Sequence, residues 1–119
     1  MKIILTTKVK DKLKTLALLD SAVSGFIRGD RIGKFLFITD FLQVELDKEN
    51  IDLQFKKIYK LWGIFLQGFF LKKENFFKSD IFKEKIILLY ENKCWVTYFM
   101  DINGNKTRPE NKKVFCMED

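Results

Sequence analysis

Between Asn50 and Phe77 the chain reads NIDLQFKKIYKLWGIFLQGFFLKKENFF, and any fold available to this protein has to bury that stretch. Plotted at 100° per residue, Phe55, Ile58, Tyr59, Trp62, Phe65, Leu66, Phe69 and Phe70 fall within one broad arc, which Leu61 extends. Lys56, Lys60 and Gln67 form a narrow polar strip opposite, with Gly63 between them. A surface helix shows an apolar stripe a little over ~100° wide, so a broader one predicts a central helix packed on two or three sides. A membrane span needs ~20 mostly apolar residues. Leu61 to Leu71 is shorter, contains Gln67, and is closed by Lys56, Lys57 and Lys60 before it and Lys72 and Lys73 after it. The rival is a strand pair, since IFLQGFFL is rich in β-formers and holds Gly68. The 3.6-residue spacing from Phe55 onward favours the helix.

The flanking segments are read against that centre. Met1 to Leu5 is an apolar start, either a strand or a frayed lead-in, and Thr6 or Thr7 is a natural N-cap. Val9, Leu13, Leu16, Val23 and Ile27 recur at helical spacing, so a first helix is predicted to end near Arg28 and Gly29, with Gly29 at the C′ position. Lys34 to Leu46 (KFLFITDFLQVEL) fits a helix carrying Phe35, Ile38, Leu42 and Leu46 on one face, or a short buried strand; the helix is preferred. Asn50 or Asp52 is placed to cap the central helix, and Ser79-Asp80 a short helical turn through Phe82 and Lys83. The chain then changes character. KIILLY (85–90) and CWVTYFM (94–100) are β-branched and aromatic, and separated by Glu91-Asn92-Lys93, which reads as a hairpin. Trp95, Thr97 and Phe99 would face one side of it, and Cys94, Val96, Tyr98 and Met100 the other. Asn103-Gly104 signals another tight turn, with Lys106 to Arg108 and Val114 to Met117 as short returning strands. The expected fold is a single α+β domain over 1–119: about three N-terminal helices (about 6–83) packed on a small C-terminal antiparallel meander (about 85–117).

Composition narrows the function. The 119 residues contain no histidine and two cysteines, Cys94 and Cys116. Without histidine there is no Ser-His-Asp or Cys-His nucleophile, nearly all familiar zinc sites are removed, and two cysteines alone cannot build a structural one. The stretch DINGN from Asp101 departs from a calcium loop, because Gly104 stands at position four and Lys112 at position twelve. Neither GxGxxG nor GxxxxGK[ST] occurs. A non-enzymatic protein with no cofactor and no metal is expected. No secretory signal is apparent, so a cytoplasmic protein with free, buried thiols is expected.

The net charge of +6 is unevenly spread. Residues 1–34 carry eight basic and three acidic groups, 35–54 one and five, 55–79 six and one, and 80–119 seven of each. If the first and central helices lie side by side, Lys8, Lys10, Lys12 and Lys14 join Lys56, Lys57, Lys60, Lys72 and Lys73 in one patch that attracts phosphate. Basic helices followed by an aromatic hairpin are also the chain order of a winged helix. Arginine is scarce and the central helix lacks a base-reading cluster, so contact with the nucleic-acid backbone is expected in preference to sequence readout. The expected role is a small binding protein acting on a nucleic acid or a nucleic-acid-handling complex. Small size and the Phe-, Lys- and Asn-rich bias of an AT-rich genome suit a phage or mobile element. The alternative is a protein-interaction module, of inhibitor or immunity type, that docks through exposed aromatics. An integral membrane protein is not expected.

Overall fold

A computed structural model describes residues 1–19, 23–72, 80–107 and 113–117. Among them are β1 (Lys2–Leu5), α1 (Thr7–Leu18), β2 (Ser24–Ile32), β3 (Phe35–Gln43), α2 (Ile51–Trp62), β4 (Leu66–Leu71), β5 (Ile86–Glu91), β6 (Cys94–Met100), β7 (Lys106–Thr107) and β8 (Lys113–Cys116). Short 3-10 turns occupy Gly63–Phe65 and Asp80–Phe82. The strands form one mixed sheet in the order β1-β3-β2-β4-β5-β6-β7, with β8 also on β6. β1 runs parallel to β3 and β4 parallel to β5; the other pairs are antiparallel. This corrects the expected fold. Among the described residues two α-helices, not three, pack on a sheet whose strands run from β1 near the N-terminus to β8 near the C-terminus.

Three segments read as helix are strands, and each misleads for a physical reason. β4 is buried at every position. A central strand covered on both faces carries no polar alternation, so its apolar run falls on a helical arc by accident. α2 stops at Trp62 because Gly63 takes φ 54, and Gly63 N–H closes on Tyr59 O; that positive φ favours a residue without a Cβ. Gly68 serves a different need. A Cβ there would overlap the Ile86 carbonyl oxygen across the β4–β5 ladder, so the close approach of these strands requires glycine. In β3, Leu36, Ile38 and Phe41 share one core face. The register with β2 skips Thr39, with Arg28 opposite Asp40 and Gly29 opposite Ile38. That bulge converts a two-residue period into a spacing that resembles a helix. The Val23 and Ile27 spacing belongs to β2 and the residue before it, not to an extension of α1, and Gly29 lies within the strand.

Of the remaining expectations, the Thr6 cap and the two turns fit the structure, and the Asn50 side-chain cap does not. Thr6 caps α1, its Oγ1 accepting from Val9 N–H at 3.3 Å. Asn50 precedes α2 but its side chain makes no cap bond; it donates instead to Asp47 Oδ2 at 2.7 Å. β5 and β6 pair as a hairpin through Asn92 and Lys93, both at positive φ. The Asp101 carboxylate accepts from the Asn103 and Asn105 N–H groups, which makes this segment a turn. Ser79, Arg108 and Lys112 lie outside the described residues.

Alternate side chains of the sheet feed two cores. One contains Ile27, Leu36, Ile38, Phe70, Ile86, Leu88 and Trp95, and α1 adds Val9, Leu13 and Leu16. The other contains Phe26, Phe69, Ile87, Leu89, Val96 and Tyr98, and α2 adds Ile51 and Ile58. The sheet curls around α1, so that Met1 and Leu5 at one end and Val114 and Phe115 at the other meet the same cluster. Trp95 Nε1–H donates to Leu13 O at 3.1 Å and ties α1 into the curl. Phe69 gathers the second core, its ring 4.5 Å from Phe82 and 5.3 Å from Phe26. Cys94 and Cys116 stand opposite each other on β6 and β8 and are joined as a disulfide. The expectation of free thiols is corrected. No helix among the described residues is long and apolar enough to cross a membrane.

Candidate binding surface

The two basic blocks do not merge. α1 packs on one face of the sheet and α2 on the other, so the sheet stands between Lys8–Lys14 and Lys56–Lys60. This arrangement also departs from a winged helix, in which helices and wing meet one duplex. On the α1 side, Lys8 and Lys12 sit one turn apart and share Asp40 of β3. Lys8 Nζ lies 3.4 Å from Oδ2, Lys12 contacts Oδ1, and Lys12 also reaches Phe41 O at 3.4 Å. Burial alone would raise the Asp40 pKa. Hydrogen bonds from Lys12 and Phe41 N–H, with the charges of Lys12 and Lys8, outweigh it and hold the pKa below the usual carboxylate value. These two lysines are thus partly neutralised by Asp40; Lys8, Lys10 and Lys14 are all exposed.

On the opposite side, Lys56, Lys57 and Lys60 are exposed along α2. They share a shallow groove with Leu53, Phe55 and Tyr59. The exposure of the apolar neighbours is high: Leu53 54%, Tyr59 52%, Leu61 77% and Ile64 81%. No acidic residue occurs between Leu53 and Phe65. Arg28 of β2 lies over the Phe65 ring, 5.5 Å from its centroid, at the end of this face. Lys72 is half-buried at the end of β4, its N–H bonded to Val23 O, and Lys73 lies outside the described residues.

Beside α2 the sheet is notched. β2 pairs with β4 only as far as Arg28 opposite Leu66, then runs on to Ile32 beside β3 alone. β4 and β5 pair from Gly68 opposite Ile86, which leaves Lys85 just before the ladder. The resulting cleft, about 480 Å³, is bordered by Arg31, Tyr59, Ile64, Gln67, Glu84 and Lys85, with Asp30, Gly63 and Leu66 completing it. Gln67 is buried and fully engaged. Its Nε2 donates to Gly29 O (3.2 Å) and Ile64 O (2.8 Å), and its Oε1 accepts from Arg31 Nε at 2.8 Å. Arg31 also lies over the Phe99 ring, and Lys85 over the Phe55 ring. Burial and the neighbouring Arg31 charge lower the Lys85 pKa, against a smaller opposing effect of Glu84.

Arg31, Gln67 and Lys85 were not among the residues expected to form a site. Gln67 carried a signal, a lone amide inside an apolar run. Arg31 and Lys85 carried none, because the sheet brings them together across 54 residues of chain. Among the described residues no group of three or more metal-ligating side chains occurs. No known protein-family model matches this chain, and no curated protein matches it either.

Proposed function

We propose that this protein works by binding, without catalysis, and that α2 with the following 3-10 turn docks a protein partner whose surface combines apolar and acidic groups. The observation that carries this reading is the exposure of Leu61 and Ile64 (77% and 81%) beside three lysines, in a stretch from Leu53 to Phe65 that contains no acid. A phosphate backbone rewards cations and gains nothing from bare aliphatic side chains. An apolar surface rimmed by charge is the usual anatomy of a protein–protein contact. The lysines favour an acidic partner and speed its encounter.

The test compares Leu61→Asp/Ile64→Asp with Lys56→Glu/Lys60→Glu in pull-downs and in titrations with fluorescent DNA and RNA oligomers at ~50 and ~200 mM salt. The expected result is a protein captured by the wild type at both salt concentrations and lost in the aspartate variant, with no oligomer bound. The opposite pattern restores the nucleic-acid reading: oligomers bound at low salt, released at high salt, insensitive to the aspartates and abolished by the glutamates.

A further inference from the structure

We propose that the notch between β2 and Lys85 binds a phosphoryl group carried by a small, hydroxyl-bearing molecule. Arg31 and Lys85 are the two cations that hold it. Neither forms an ion pair with any described residue. Arg31 is aimed by a buried side chain: Gln67 spends its oxygen on Arg31 Nε and is itself fixed by two backbone carbonyls. A guanidinium bound through Nε keeps its two terminal amino groups, which match two oxygens of a phosphoryl group. Lys85 supplies a point charge beside it. Arg31 and Lys85 border one open cleft, where their like charges disfavour each other, and a dianion between them removes that conflict.

The rest of the lining narrows the class of ligand. Asp30 and Glu84 also border the cleft, so its four charged groups sum to zero. A neutral lining does not recruit a long polyanion; it suits one phosphate attached to a body that donates hydrogen bonds to the carboxylates. Tyr59, Ile64 and Leu66 supply an apolar wall for that body. The volume of about 480 Å³ lies within the range of small-molecule sites and far exceeds the size of a bare phosphate. The site is separate from the docking reading. Tyr59 and Ile64 border both, but Arg31 and Lys85 are not on the α2 face, so either proposal can fail alone.

The test is a 1H–15N NMR titration of the full chain with sodium phosphate and with adenosine monophosphate, against sodium chloride at matched ionic strength. The expected result is saturable movement of the Arg31 Nε–H, Gln67 amide and Lys85 backbone signals. Arg31→Gln and Lys85→Gln should each raise the apparent dissociation constant about tenfold, with the spectrum remaining that of the folded protein. Tighter saturation by adenosine monophosphate than by phosphate supports a phosphate carried on a hydroxyl-bearing body; equal saturation by the two overturns that proposal and leaves a site for the free oxyanion only. Shifts that grow linearly, are matched by chloride, or persist unchanged in the variants overturn the proposal. If Arg31→Gln fails to fold, Lys85→Gln and the wild-type titration decide.

Discussion

Thr97 occupies a fully buried position in the middle of β6, and its hydroxyl has no hydrogen-bond partner among the described residues. A buried unsatisfied hydroxyl is destabilising, whereas a methyl group of the same shape is at home there. Thr97→Val is therefore expected to raise unfolding stability by about 1 kcal/mol, read from urea denaturation. Asp40 makes the opposite kind of prediction. Its folded pKa is depressed, so its contribution is present above the ordinary aspartate pKa of ~3.9 and disappears as pH falls through the lower folded value. Asp40→Asn should lower stability near neutral pH by about 0.5 kcal/mol, the scale of a solvent-screened ion pair. Urea midpoints of variant and wild type should converge toward pH ~3. The lysine that meets Asp40 was visible in the sequence; its partner, 28 residues away, was not.

At the scale of elements, legibility followed local composition and turn signals. The β5–β6 hairpin is buried on both faces, with Trp95 and Phe99 in one core and Val96, Tyr98 and Met100 in the other, but its β-branched and aromatic runs on either side of Glu91-Asn92-Lys93 made it readable as strands. β4 does not alternate, because helices cover both faces of the sheet around it. Only Gly68 and Gln67 broke its run, and both turn out to be structural necessities. Gly68→Ala would force β4 and β5 apart at the point where their parallel pairing begins. The expected loss is about 3 kcal/mol or more, the upper range for steric overpacking. Thermal melts of the variant against wild type check it; an unchanged melting temperature would mean that the ladder relaxes without penalty.

At the scale of the whole molecule, the last strand is held by three register pairs to β6 and by the Cys94–Cys116 bond. That bond spans a sequence separation of 22, for which loop-closure entropy suggests about 3 kcal/mol of stabilisation. Melts with and without reductant, repeated on Cys94→Ala/Cys116→Ala, should show the wild type losing that amount and the variant indifferent to reductant. Identical melts for all four samples would mean that the thiols are not joined. The same scale governs function. With the sheet between the helices, Lys8–Lys14 and Lys56–Lys60 address opposite sides of the molecule. A partner that docks on α2 leaves the α1 side free.

The sequence by itself determined what is local: the Thr6 cap, the first turns of both helices, the Asn92-Lys93 and Asn103-Gly104 turns, and the facing of the β5–β6 hairpin. Each rests on neighbours within a few residues, whose chemistry is written in the order of the chain. Only the tertiary structure decided that β2, β3 and β4 are strands: β4 is covered on both faces and carries no period that separates strand from helix, and a bulge in the β2–β3 pairing shifts a two-residue period toward a helical spacing. It also decided which charges share a site. Gln67 can hold Arg31 at the cleft that Lys85 also borders only after β2 and β4 have paired and β5 has joined them, and that pairing depends on contacts far apart along the chain.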